Sequence, residues 1–364
     1  MSRVAIVLPP REMFTAQATG AVGILARVLA RRHAGAECIV YGMPTLTQPF
    51  TDVDFVPVPL AFRPFRKATR YALGLIAALK RNRPDIIEVH NRSDIALALA
   101  RKFSKIPVVL FLHNDPQGMR GAKTAAEREF LLARLALVAP VSAYLRERLL
   151  DGVQTRARVE VFPNFVDLAE MPKPAPQKCI LFAGRVVADK GADSFVTACA
   201  KALKLLPGWR AEMIGADRFG SDSPDTPFLQ KLRPEADAAH VTMLGWQPHG
   251  VVLHAMAKAS IVVVPSRWNE PFGLTALEAM ACGAALLCAP RGGLAEVMGN
   301  AALPINPDDP AMIAANIIAL ALDAPRRAAL SRAGLARAAE FSAEIALEKL
   351  AALRSRVLAE WPSH

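Results

Sequence analysis

Two glutamates stand eight positions apart in "NEPFGLTALEAMACG", residues 269–283, a stretch otherwise rich in Pro, Gly and apolar residues. Glu270 lies in a Pro/Gly turn, and Glu278 falls where a helix begins. Carboxylates are bidentate acceptors, so a pair at this separation suits a polyhydroxylated ligand. Eight helical steps would span roughly 12 Å, a reach that fits two sets of hydroxyls on either side of a diphosphate. The amides around Phe272, Gly273 and Leu274 can face such a phosphate at the helix start. Glu278 has a structural alternative, because Thr275-Ala-Leu-Glu278 fits a capping box. Glu270 has none.

A second segment carries cations. In "FAGRVVADKG", residues 182–191, a strand ends at Gly184, Arg185 follows at its tip, and Lys190 and Gly191 precede the next helix. A guanidinium fork, an ammonium and helix-start amides can converge on a diphosphate. Solvated surface cations near Asp189 are the plain alternative. In "RGGLAE", residues 291–296, adjacent glycines permit either close backbone approach to a ligand or a tight turn. No G-x-G-x-x-G follows the first strand and no G-x-x-x-x-G-K-[ST] occurs, which lowers dinucleotide hydride chemistry and P-loop phosphoryl transfer.

Short Val/Ile-rich runs alternate with longer Ala/Leu/Arg segments of helical period, and these elements must position the groups above. The first half reads as strands "RVAIVLP", "ECIVYG", "PDIIEVH", "PVVLFLH" and "LALVAPVS", with helices over 22–32, 65–80 and 123–135. "LAEMPKPAPQ", residues 168–177, holds three prolines and reads as a linker. The alternation then restarts with "KCILFAG", "RAEMIG", "HVTMLG", "SIVVVPS" and "ALLCAP". The pattern predicts an α/β chain of two doubly wound parallel sheets, with ligands beyond the carboxyl ends of the strands and a cleft between domains as the expected site. The expected domains are residues 1–168 and 169–345, with a helix over 346–364 returning to brace the first.

The chain has 364 residues, of which 52% are hydrophobic and 21% charged, enough for two cores. No run approaches the ~18–20 apolar residues of a membrane span. "MSRVAIVLPPREMF" reads as a first strand rather than a leader, which places the protein in the cytoplasm. Cys38, Cys179, Cys199, Cys282 and Cys288 stand singly and read as packed thiols. The net charge is +11, and residues 1–168 hold 24 Lys and Arg against 14 Asp and Glu. Nucleic acid, an anionic membrane surface or an acidic substrate would each suit so basic a half. The Lys/Arg-rich stretch 60–83, with Phe62, Phe65 and Tyr71, reads either as a helix lying on an anionic leaflet or as a solvated helix with a buried apolar face.

"GRVVADKG", "PSRWNEPFGLTALEAMACG" and "GGLAE" together resemble the signature blocks of retaining glycosyltransferase family 4, with Glu270 and Glu278 as its E-x7-E pair. "VSAYLRERL", "VFPNFVD", "HVTMLGW" and "EFSAE" extend the resemblance along most of the chain. It implies the GT-B fold, two Rossmann-like domains facing a deep interdomain cleft. It implies Arg185 and Lys190 on the donor diphosphate, with Gly184 and the amides of Phe272, Gly273 and Leu274. Glu270 would meet the donor hexose and Glu278 the ribose. His113, ending "VVLFLH", matches the histidine beside the transferred sugar; by itself a strand-end histidine is also a common structural residue. Gly20 matches a glycine-rich loop after the first strand. The sequence departs from the family at Ala21, where a second glycine is usual, and at Phe165, where "PNGVD" has glycine.

The implied reaction moves a hexose, with retention, from a nucleotide sugar to a glycolipid or oligosaccharide such as lipopolysaccharide. A UDP-sugar is the favoured donor and GDP-mannose the alternative. No cofactor or metal is expected. The expected partners are the donor, the acceptor and an anionic membrane surface on the inner face of the cytoplasmic membrane. A sugar-nucleotide epimerase, a storage-polysaccharide synthase and a basic nucleic-acid binder are the competing functions.

Overall fold

The computed structural model describes residues 2–33, 35–155, 158–218 and 223–361. The chain divides into two units, residues 1–164 with 343–364, and residues 165–342.

In the first unit the elements run β1 (Ser2–Val7), α1 (Ala21–Arg31), β2 (Ala36–Gly42), β3 (Phe55–Pro57), α2 (Lys67–Arg81), β4 (Ile86–His90) and α3 (Ser93–Lys102). They continue as β5 (Val108–Leu112), α4 (Ala125–Arg134), β6 (Leu137–Pro140) and α5 (Ala143–Leu150). All six strands are parallel, in the order β3-β2-β1-β4-β5-β6. Every residue of β4 and β5 is buried, as expected where helices cover both faces of a parallel sheet. Strand order reverses between β1 and β4, and the carboxyl ends of those strands form the crevice where such sheets bind ligands.

The second unit repeats the plan. Its elements are β7 (Gln177–Ala183), α6 (Ala192–Ala202), β8 (Arg210–Ile214), α7 (Pro227–Ala238), β9 (Val241–Met243), α8 (His249–Lys258) and β10 (Ala259–Val264). After these come α9 (Leu274–Ala281), β11 (Ala285–Cys288), α10 (Leu294–Met298), β12 (Leu303–Pro304), α11 (Pro310–Leu322) and α12 (Ala324–Ala339). The parallel order β12-β11-β10-β7-β8-β9 is the first sheet's order read from the other edge, so the switch point falls between β7 and β10.

α13 (Ala343–Glu360) belongs to the first unit. The first stretch of that unit therefore ends four residues before the expected boundary at 168, and the returning segment starts at Ala343 rather than 346. α13 is anchored chemically. Arg354, 3% exposed, forms a two-pronged ion pair with Glu88 in the middle of β4, at 2.7 and 2.8 Å. Its guanidinium also lies 3.6 Å from the Cys38 sulfur on β2. Glu88 has no exposure at all, so only a charge of opposite sign makes its burial tolerable.

α2 buries Tyr71, Ala72, Leu75, Ala78 and Leu79 in its own unit, and the Tyr71 hydroxyl donates to the Leu8 carbonyl at 3.1 Å. Its apolar face is therefore not available to lie on a leaflet, which corrects one of the two expectations for residues 60–83. Among the described residues, no helix is long and apolar enough to cross a membrane. All five cysteines are free, and only Cys282 is not fully buried.

Removing one partner of a buried pair strands the other's charge, so Arg354→Ala should cost about 3–5 kcal/mol in urea unfolding. Arg354→Met combined with Glu88→Leu should recover most of that loss. A cost for Arg354→Ala within about 0.5 kcal/mol, typical of a surface substitution, would remove the pair's structural role.

Candidate functional site

β7 and β10 are hydrogen-bonded neighbours, so the loops leaving their carboxyl ends lie side by side although they are far apart in sequence. The first loop carries Gly184, Arg185 and Lys190, and the second carries Ser266, Glu270, Phe272 and Gly273. Lys190 Nζ and Glu270 Oε1 form an ion pair, and the buried Ser266 hydroxyl donates to the same oxygen at 2.8 Å. Glu270 Oε2 keeps no protein partner among the described residues. Arg185 is half-buried at the tip of β7, and its guanidinium has no hydrogen bond or ion pair to a described residue.

Two glycines permit this juxtaposition. Gly191 has φ +69°, and a Cβ there would lie 2.0 Å from the carbonyl oxygen of Pro265 at the end of β10. Gly292 has φ +58°, and its Cβ would lie 2.5 Å from the carbonyl oxygen of Glu270. The Gly293 amide donates to that same carbonyl at 2.7 Å. The glycines of "RGGLAE" thus approach the protein's own backbone at Glu270, where a ligand was the expected neighbour.

α9 starts at Leu274 with Gly273 as its N-cap, and no side chain caps it. Thr275 is already inside the helix, so the capping box expected from Thr275 and Glu278 does not form. Glu278 instead pairs with His249 at the start of α8, Nε2 to Oε1 2.7 Å, and is itself 7% exposed. Burial alone would lower the His249 pKa; the hydrogen bond and charge of Glu278, with Glu170 adding, outweigh it and the net shift is upward. Phe272 is buried, its ring edge-on to Phe341 at 5.8 Å. The start of α9 has no side-chain cap, and the Arg185 guanidinium has no partner among the described residues, so both can receive an anion at the β7/β10 switch point.

In the first unit His113 follows β5, its amide donating to the Asn91 side chain at 3.2 Å. Its Nε2 shares a 2.9 Å hydrogen bond with Nδ1 of His90, the last residue of β4. Burial pushes the His90 pKa down to about 3, with the nearby Arg354 charge adding to the effect. His113 is lowered well below the ordinary range by burial and by His90, against a hydrogen bond to Asn164. Both rings are therefore neutral at physiological pH. His90 also stacks on Phe111, with ring centroids 4.9 Å apart.

Gly20 precedes α1 at the carboxyl end of β1, but its amide is occupied. Glu12 Oε1 accepts from Gly20 N at 2.7 Å and from Gly23 N at 3.0 Å, which puts the chain's own carboxylate at the N-terminus of α1. Burial raises the Glu12 pKa in spite of those two amides. With that carboxylate in place, the Gly20 amide is closed to any other anion.

Two family descriptions match the chain: "Glycosyltransferase Family 4" over residues 21–170 and "Glycosyl transferases group 1" over residues 166–337. The chain belongs to glycosyltransferase family 4. It is similar to a D-inositol 3-phosphate glycosyltransferase of Segniliparus rotundus, 31% identical over 221 residues, which cover 56% of this chain and 49% of that protein. The chain spans about half the length of the curated relatives it matches. Among solved structures, sucrose-phosphate synthase of Thermosynechococcus elongatus matches with a TM-score of 0.80 at 18% identity, over 99% of this chain and 100% of that one. HepE of Anabaena in complex with UDP and glucose matches with a TM-score of 0.77 at 17% identity, over 98% and 100%. These structures share the GT-B fold with the family 4 chain.

Three contributors escaped the sequence reading: Ser266, His249 and Glu12. Ser266 directly follows the "VVVP" strand end, a position that in a doubly wound sheet faces the ligand crevice, and that was its available signal.

Gly191→Ala should destabilise the family 4 chain by about 1–3 kcal/mol through its backbone conformation alone, with the clash against Pro265 adding to this. Gly208, at φ +79° in open space, is the control and its alanine variant should show the conformational part only. Equal melting temperatures for the two variants would remove the close-approach explanation. The raised His249 pKa makes its pairing stabilising below the unfolded value of about 6.5, a contribution lost as pH rises through the folded pKa. His249→Gln should therefore cost stability near about pH 6 and little near about pH 9 in paired unfolding titrations. A cost independent of pH would contradict the charged pairing.

Proposed function

We propose that this chain transfers a hexose from a UDP-sugar, with retention of anomeric configuration, to a hydroxyl of a glycolipid or oligosaccharide acceptor. The observation that carries this reading is the Lys190–Glu270 pair beside the unpartnered, half-buried Arg185 at the β7/β10 switch point. Cleaving the anomeric C–O bond places negative charge on the leaving diphosphate and positive charge on the sugar ring. Arg185 supplies a planar donor fork for the diphosphate. An ammonium has three N–H donors, so Lys190 retains two beyond the one it gives Glu270. Backbone groups at Gly184 and the amides of Phe272, Gly273 and Leu274 around the start of α9 complete an electrostatic seat that meets the developing charge without a metal.

Glu270 Oε2 is the acceptor for hexose hydroxyls, while Oε1 is held by Lys190 and Ser266. Glu278 takes the ribose diol, with His249 fixing one of its oxygens. His113, neutral and oriented by His90, is assigned to the transferred sugar, where a neutral imidazole can donate or accept without opposing the ring's positive charge. UDP is favoured because the similar HepE structure contains UDP and glucose. The acceptor class is inferred from charge. The first unit holds 27 Lys and Arg against 16 Asp and Glu, a net of +11, whereas the second holds 17 of each. An anionic envelope glycan such as lipopolysaccharide suits that surface.

A thermal-shift panel of UDP-, GDP- and ADP-sugars tests the donor: a cognate donor at 100 times its Kd stabilises by about 2.7 kcal/mol. Arg185→Ala, Lys190→Ala and Glu270→Ala should each lower kcat/KM with that donor by about 10²-fold or more. Near-normal rates for all three would sink the assignment. Epimer formation from the donor in the absence of any acceptor would replace it with an isomerase reading.

A further inference from the structure

Arg267 lies on the loop that leaves β10, between Ser266 and Trp268, and its guanidinium uses every donor it has. Nε donates to Asp308 Oδ1 at 2.7 Å. Nη1 donates to the Ala188 carbonyl and to Asp193 Oδ1, each at 2.7 Å. Nη2 donates to Asp193 Oδ2 at 3.1 Å and to the Ser194 hydroxyl at 2.6 Å. A guanidinium has five N–H groups, and all of them are engaged. The buried Ser194 hydroxyl in turn donates to the Pro307 carbonyl at 2.6 Å. One side chain from the loop after β10 therefore grips the loop after β7, the first turn of α6 and the loop leading into α11.

The backbone repeats this attachment. The Asp189 carbonyl accepts from the Arg267 amide at 2.8 Å and from the Trp268 amide at 3.0 Å. Ala188–Lys190 is a single 3-10 turn with no side-chain cap, so its orientation comes from residues outside it. Lys190 directly follows Asp189, and Ser266, directly before Arg267, donates to the Glu270 oxygen that pairs with Lys190. The bonds of Arg267 thus surround the Lys190–Glu270 pair without touching either charged group. Ion pairs with exposed carboxylates add little to stability, and Asp193 and Asp308 are 38% and 56% exposed. With two carboxylates on one guanidinium, the cluster brings no surplus positive charge either. What it supplies is geometry. Lysine is a point charge on a flexible stem, and its ammonium is held in place only if the turn that bears it is held.

We propose that Arg267 is a positioning residue, which fastens the Ala188–Lys190 turn to the loop after β10 so that the Lys190 ammonium meets the donor diphosphate at a fixed place. The role rests on Lys190 being a ligand of that diphosphate. Arg267 itself does not touch the donor; it acts through the turn.

Calorimetric titration of the full chain with UDP, and with uridine as the control that lacks the diphosphate, reads this role. Arg267→Met should lose about tenfold of UDP affinity and keep its affinity for uridine. Lys190→Ala should lose a similar factor, and the double variant about tenfold again rather than the roughly hundredfold loss of independent sites. Arg267→Lys keeps the charge without the planar fork, so it should bind UDP like Arg267→Met. The partners give a test of sign. Asp193→Ala with Asp308→Ala removes two negative charges and frees Arg291, 4.0 Å from Asp308, so charge alone would tighten UDP binding. Loss of the grip should weaken it instead. This aspartate variant leaves the guanidinium in place and carries the test where circular dichroism shows Arg267→Met unfolded. Wild-type UDP affinity in Arg267→Met, full recovery in Arg267→Lys, additive losses in the double variant or tighter UDP binding by the aspartate variant would each overturn the positioning role. UDP bound by the wild type no better than uridine would instead remove the diphosphate seat itself, and this role with it.

Discussion

The hydrogen-bonded pairing of β7 with β10 is the constraint on which the candidate site depends. Eighty residues separate Lys190 from Glu270, and no local propensity brings them together. A parallel sheet in this order must place the first and fourth strands of the unit side by side, with both chain exits on one rim. Contact then requires backbones closer than a Cβ permits, and Gly191 and Gly292 remove the obstacle at the two points of approach. The ion pair is therefore a product of topology first and side-chain chemistry second.

The first unit uses charge differently. Its buried Arg354–Glu88 pair ties the last helix to the middle of the sheet, and His90 lies two residues beyond Glu88 on the same face of β4. The Arg354 charge helps hold His90 neutral, and His90 in turn holds His113. A helix at the end of the chain thus reaches the candidate histidine through three side chains. The same unit fills the N-terminus of α1 with its own Glu12, whereas the second unit leaves α9 uncapped. Two units with one strand order have become chemically unlike at their ligand-facing ends.

Much of this architecture was legible in the sequence. Val/Ile-rich runs such as "IVVV" and "VVLFL", alternating with helical segments, announced two parallel sheets; the Gly-bearing end of the β7 strand pointed to Arg185 and Lys190, and the Pro/Gly turn with its eight-residue spacing pointed to Glu270. Partnerships were less accessible. Thr275 and Glu278 had the spacing of a capping box, yet Gly273 with φ +106° starts the helix one residue before Leu274 and leaves Thr275 too late to cap it. Glu278 turned instead to His249, 29 residues earlier in the chain. Spacing rules see only neighbours along one helix, and this pair bridges two. Glu12 was hidden for a similar reason, since it caps α1 from eight residues before Gly20, beyond any local capping pattern.

The central claim is that Arg185, Lys190 and the uncapped α9 amides form a seat for the diphosphate of a nucleotide donor. Isothermal titration of UDP and of uridine into the wild-type chain and into Arg185→Ala addresses that seat directly, without an acceptor. UDP should bind the wild type well above uridine, and Arg185→Ala should lose about tenfold or more of UDP affinity, the value of a charge-assisted hydrogen bond, while uridine binding stays unchanged. Equal UDP affinity in the two proteins would contradict the claim.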